Sequence, residues 1–234
     1  MVFTRLPNRI KLQQKGEQIL KKILIINGYG KSGKGTFVKT LKQYAPTTYA
    51  SIVDIPKYFA SELGWKNTKT EKDRKFLCDL KNLIDNYSDS CYEYCEYVIE
   101  QFKNSGSIFL CIDMREKKDI ERISKDYDVV KVLVKRDVEI PDNDADKNVE
   151  NGIAYDYIID NNGTIEDLDA EVRKFLSDLL KKEIKQQKEN PKPKKKPDCR
   201  AELCFILKFL KEIIGEPEDD DKDNIRTLFN LLNF

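Results

Sequence analysis

Short apolar runs alternate with stripes of helical period along this chain. Ile23 to Asn27 is a β-branched apolar run that stops at a glycine-rich stretch, Gly28 to Gly35, and helix-compatible sequence follows through about Tyr44. Strand, glycine loop and helix in that order form the first unit of a parallel α/β sheet. The pattern next predicts a helix over Ile52–Gly64, closed by its glycine, and two more over Glu71–Asn86 and Ser90–Asn104. Ile108–Ile112 reads as a buried strand, Asp119–Tyr127 as a helix, Val129–Val134 as a strand and Tyr157–Ile159 as the last strand. Thr164 and Asp167 have the spacing of a capping box, opening a helix whose apolar face is Leu168, Val172, Phe175 and Leu179. Strands alternating with helices predict an α/β fold, a three-layer sandwich around a parallel sheet.

The same pattern divides the chain. Residues 1–21 form an N-terminal extension and residues 22–182 the α/β domain. Residues 183–198, rich in lysine and proline, suit a solvated linker. Residues 199–234 form a helical C-terminal tail. There Leu203, Ile206, Leu207, Leu210 and Ile214 share a helix face, and a last short helix bears Ile225, Leu228, Phe229 and Leu232. So broad an apolar face is costly to leave in water. Residues 200–234 are therefore expected to pack on the domain, to form a homodimer or to take a protein partner.

Composition narrows the classes. Among 234 residues, 42 basic and 41 acidic side chains nearly cancel, which gives no reason to expect nucleic acid as a partner. No run approaches the roughly 20 apolar residues that span a bilayer, and residues 1–22 lack the apolar core of a signal peptide. The expected location is cytoplasmic, with no membrane partner. Of the six cysteines, Cys91 and Cys95 fall on a helical apolar stripe and Cys111 inside a strand, so they read as small core residues. The sequence has no histidine, which excludes imidazole general bases and histidine-held metals.

The densest chemistry lies in Gly28-Tyr29-Gly30-Lys31-Ser32-Gly33-Lys34-Gly35-Thr36. Glycines there let backbone N–H groups converge on phosphate oxygens, a helix N-terminus points its positive end at the anion, and Lys34 reaches the β- and γ-phosphates. The stretch is thus expected to bind ATP. The general motif places Ser or Thr directly after the lysine to hold magnesium; here Gly35 stands there and Thr36 follows. Asp113 ends the strand Ile108–Ile112, where a carboxylate orients magnesium directly or through its waters.

Gly-Lys-Gly-Thr at residues 33–36 resembles the loop of nucleoside monophosphate kinases, in which the threonine contacts nucleotide phosphate. Together with Asp113, Arg115, Asp119, Ile120 and the stretch Tyr155 to Gly163, it makes residues 22–180 similar to bacteriophage-type deoxynucleoside monophosphate kinases. Animal phosphomevalonate kinases are similar too. The resemblance implies a P-loop NTPase fold and phosphoryl transfer from ATP with magnesium to a small phosphorylated acceptor, a nucleotide substrate above all. By resemblance, Lys34, Asp113 and Arg115 are the catalytic candidates. Gly28, Gly30, Lys31, Ser32, Gly33, Lys34, Gly35, Thr36, Arg136 and Asn162 are the nucleotide-binding ones, with Asn161 and Gly163 beside the adenine. Lys57, Arg74 and Arg115 would hold the acceptor, and Asp113 with Thr36 the metal. A phosphate acceptor is already a nucleophile and demands no base; for a hydroxyl acceptor, Asp54 is the candidate. Residues 136–151, where related kinases carry an arginine-rich lid, hold one arginine and several aspartates. Three classes stay open: a nucleoside monophosphate kinase, a kinase of another metabolite, and a non-catalytic ATP-binding switch.

Overall fold

Lys22–Asn27 is buried at every position and forms β1. Buried on both faces, it occupies the centre of a parallel sheet. The computed structural model describes residues 21–68, 70–138, 149–150 and 152–189. In order they form β1, α1 (Lys34–Tyr44), β2 (Thr47–Ser51), α2 (Asp54–Glu62), α3 (Glu71–Tyr87), α4 (Ser90–Lys103), β3 (Phe109–Asp113), α5 (Lys117–Asp126), β4 (Val129–Lys135), β5 (Tyr157–Asp160) and α6 (Ile165–Glu189). The α/β class is as expected.

The sheet has five strands in the order β2-β3-β1-β4-β5, and its four pairings are all parallel. The step from β1 to β2 runs across the sheet in the opposite sense to β2→β3 and β3→β4. Right-handed crossovers then put α1 on one face and α4 and α5 on the other. The packing agrees. Ile23 and Ile25 of β1 join Leu110 and Ile112 of β3 in a core with Cys91, Cys95 and Ile99 of α4 and Ile120 and Ile123 of α5. Leu24 and Ile26 alternate to the opposite face. Phe37 of α1 meets Phe175 of α6 edge-on, and Phe175 meets Tyr157 of β5.

Three differences from the sequence reading stand out. The strand β2 was not expected; its register against β3, Thr47↔Phe109 to Ser51↔Asp113, comes from pairing rather than from an apolar run. Helix α5 starts at Lys117, two residues before the expected Asp119. The boundary expected at Lys182 falls within α6, which runs to Glu189. Glu183, expected in a solvated linker, closes on Lys22 at 2.7 Å, and Asp128 does so at 2.9 Å. Burial works against the Lys22 charge, but hydrogen bonds to Glu183 and Asp128 outweigh it and hold the ammonium above its ordinary range.

The capping box at the start of α6 is present. The Asp167 amide donates to Thr164 Oγ1 at 3.2 Å, and the Thr164 amide donates to Asp167 Oδ2 at 2.8 Å. By its contacts the chain divides into a unit of Leu20–Lys185 and another of Met1–Ile19 with Gln186–Phe234. The expected N-terminal extension (except Lys21), most of the lid, the linker beyond Glu189 and the C-terminal tail lie outside the described residues. Among the described residues no helix is long and apolar enough to cross a membrane.

Candidate functional site

The loop between β1 and α1 has the backbone its glycines demand. Gly28 and Gly33 stand at φ +150° and +95°, and Lys31 at +70°. A Cβ on Gly28 would lie 2.4 Å from Val134 O, and one on Gly33 would lie 2.0 Å from Asn161 Nδ2. Side chains are shut out of both places. Gly33 precedes the first turn of α1, so the positive end of an eleven-residue helix points into the loop. Lys34 is buried, and its ammonium donates to Gly28 O at 2.6 Å and to Tyr29 O at 3.2 Å.

Neighbouring strands brace the loop. Asn27, wholly buried, accepts from the Gly28 amide through Oδ1 at 2.7 Å; its Nδ2 donates to Tyr155 OH at 2.7 Å and to Arg115 O at 3.4 Å. Asn161, at the end of β5, donates to Ser32 O at 2.8 Å. The Ser32 hydroxyl is buried with no hydrogen-bond partner among the described residues. A buried polar atom of that kind wants a partner, and an anion in a ring of backbone amides would meet several donors and this hydroxyl. The donor set, lysine plus amides plus helix N-terminus, suits the phosphates of a nucleotide. Lys31 and Gly35 are exposed, Gly30 is buried and Thr36 is half-buried.

Asp113 ends β3 in register with Ile26 of β1 and Ser51 of β2. The carboxylate therefore stands beside the loop's first residues. Tyr49 on β2 donates to Asp113 Oδ2 at 3.3 Å. Burial of that phenol, with the Asp113 and Asp54 carboxylates nearby, pushes it far above the usual tyrosine range, so it remains a donor. A single carboxylate with Thr36 close to a phosphate site suits magnesium, which is usually held through phosphates and waters.

Asp113 also lines a cavity of about 130 Å³. Its wall is built from Ser51 to Val53, from Asp113, Arg115 and Glu116, and from one face of α3: Arg74, Leu77, Cys78 and Lys81. Those four helix positions are spaced i, i+3, i+4 and i+7, the spacing of one helical face. The N-terminus of α3 is fixed by a capping box between Thr70 and Asp73. Behind Lys81, the carboxylates of Asp85, Glu116 and Asp119 converge on its ammonium at 2.7, 2.8 and 3.2 Å. These three carboxylates are spaced as if for a metal ion, but the ammonium already sits among them.

Arg74, Asp113 and Arg115 thus meet at one cavity. The other candidates are arranged differently. Lys57 pairs with Asp54 at 2.8 Å, Asp54 also accepts from the Ser51 amide, and neither lines the cavity. Arg136 is exposed at the end of β4, and Asn162 Oδ1 accepts from the Asp137 amide next to it at 2.7 Å. The aromatic rings available to stack on a base, Tyr58 and Phe59 exposed on α2 and Trp65 beyond it, are not in the cavity wall. Sequence reasoning missed Asn27, Tyr49, Lys81 and Glu116, and it singled out the stretch from Tyr155 without the bond from Asn27 to the Tyr155 hydroxyl. A polar residue closing an apolar strand was the available signal for Asn27, and the i+7 spacing from Arg74 was the one for Lys81.

No family model matches the sequence, and no curated protein matches it. Two solved structures show a weak likeness to the chain. One, from Chloroflexus aurantiacus and provisionally described as a kinase, is 11% identical with a TM-score of 0.38, covering 69% of this chain and 99% of that one. Another, the TT1252 protein of Thermus thermophilus, is 14% identical with a TM-score of 0.37, covering 68% and 98%. Likeness at these scores carries no weight for function, which rests on the geometry.

Proposed function

We propose that this chain is a phosphotransferase that moves the γ-phosphoryl group of ATP to a small phosphorylated acceptor, a nucleoside monophosphate being the leading class. The position of Asp113 carries the reading. It lies in register with Ile26 beside the phosphate loop and also forms part of the wall of the cavity that holds Arg74 and Arg115. A donor loop and an anion-binding cavity that meet at one carboxylate suit phosphoryl transfer.

In this reading Lys34 and the loop amides bind the β- and γ-phosphates, and Arg74 and Arg115 bind the acceptor phosphate. Bound at Asp113 and Thr36, magnesium would neutralise charge on the transferred group. The acceptor oxygen forms a bond to the γ-phosphorus as the bond to the β-phosphate oxygen breaks, and ADP leaves. The acceptor phosphate is ionised at neutral pH, so no side chain has to take a proton, in keeping with a chain that lacks histidine.

One observation favours a second reading, a non-nucleotide acceptor such as a phosphomevalonate-like metabolite. Among the described residues the cavity wall is mainly aliphatic and charged, without an aromatic ring to stack on a base. ADP release from magnesium-ATP decides between them, measured against a panel of ribo- and deoxynucleoside monophosphates and phosphomevalonate. Lys34→Ala serves as the blank, expected to be slower by roughly 10²-fold or more. Turnover with one acceptor names the class. Tight ATP binding without turnover on any acceptor would instead mark an ATP-dependent switch.

A further inference from the structure

Lys81 is 4% exposed, yet it sits among three carboxylates. Burial disfavours its charge, but the hydrogen bonds to Asp85 and Glu116 and the nearby Asp119 more than offset this, and the amine stays charged well above its ordinary range. The three partners come from different places. Asp85 is one turn further along α3, Glu116 directly follows Arg115, and Asp119 lies in the first turn of α5. Lys81 therefore ties α3 to the segment that leaves β3.

Both sides of that tie carry an acceptor arginine. Arg74 is on α3, two turns before Lys81 and on the same face; Arg115 is covalently next to Glu116. A buried ion pair is a poor device for stability, because apolar replacements of similar volume are often no less stable. It is a good device for register, since an ammonium among carboxylates defines one arrangement of the two segments.

We propose that Lys81 is a positioning residue for the acceptor: through Glu116 and α3 it sets the spacing of Arg74 and Arg115 so that both grip one phosphate. The proposal rests on the reading of the cavity as the acceptor site. The phosphate loop is braced by Asn27 and Asn161, and its link to the segment of this cluster is the long 3.4 Å bond from Asn27 Nδ2 to Arg115 O, so the effect is expected mainly at the acceptor end.

Cys78 gives a readout independent of turnover. It is half-buried in the cavity wall, whereas Cys91, Cys95 and Cys111 are buried. With the phosphate loop saturated by a non-hydrolysable ATP analogue, inorganic phosphate in the cavity should slow alkylation of Cys78 by iodoacetamide, followed in the full chain by peptide mass spectrometry. In Lys81→Met the phosphate concentration for half-protection should rise at least tenfold, while affinity for a fluorescent ATP analogue stays within twofold. Glu116→Gln leaves the ammonium two carboxylates and covers the case in which Lys81→Met does not fold. It should shift half-protection in the same direction, and the double variant should show less than the sum of the two effects. Equal half-protection in wild type and variants overturns the role of Lys81 and leaves the acceptor site standing. Phosphate that fails to protect Cys78 even in the wild type overturns the acceptor site, and the role of Lys81 with it.

Discussion

Gly33 shows what a single residue decides here. Its φ of +95° is already unfavourable for a side chain, and a Cβ would land 2.0 Å from Asn161 Nδ2. Gly33→Ala must displace Asn161, which otherwise donates to Ser32 O across the loop. We expect it to cost about 1–3 kcal/mol of unfolding free energy and to weaken ATP-analogue binding at least tenfold, read by urea melts and fluorescence titration. Wild-type affinity in a folded Gly33→Ala protein would contradict the account of the loop. The buried thiols make a second prediction. Burial, first, and the nearby acidic groups push Cys91 and Cys95 up to about 12 from 9.0. Below pH 9 both are protonated whether the chain is folded or not. Above it the unfolded chain releases protons that the folded chain keeps, so stability falls as pH rises from about 9 towards 12, by up to about 1.4 kcal/mol per pH unit for each thiol. Melting temperatures at pH 8 and pH 10.5 should show the fall, and Cys95→Ala should make it shallower. At this scale the glycine loop between β1 and α1 was legible because its residues are consecutive. Arg74, Lys81 and Glu116 were harder to read because their meeting depends on the packing of α3 against a distant segment.

At the scale of elements, β1 and β3 were legible because they are buried on both faces, and β4 and the edge strand β5, only partly buried, because each keeps a short apolar run. Thr47–Ser51 has no such run. It is an edge strand, and its register is dictated by β3. The end of α6 was misplaced for a related reason: a charged stretch reads as solvated until a partner is known, and the partner of Glu183 is Lys22, far away in sequence. The cross-element contact to break is Phe175, which is almost fully buried and meets rings of both α1 and β5. Phe175→Ala should cost about 3–5 kcal/mol, measured by urea denaturation with unchanged slope. A loss below about 1 kcal/mol would mean that α6 is not part of the same cooperative core.

Across the whole molecule, the chain leaves β1 towards one edge of the sheet and leaves β3 towards the other. This opens a crevice at the C-terminal ends of two adjacent strands, the place where parallel α/β sheets bind ligands. The glycine loop follows one of those strands and Asp113 ends the other, so the proposed donor and acceptor sides would share one carboxylate by virtue of topology. Alternating strands and helices made the α/β class legible. Strand order was not, because without β2 there was no second edge to place. The most direct test of the central claim is to follow the label from γ-labelled ATP. The account predicts that it leaves joined to the phosphate of an added acceptor, at a rate that saturates with that acceptor and collapses in Arg115→Ala. Label appearing only as inorganic phosphate, at a rate no acceptor changes, would contradict it.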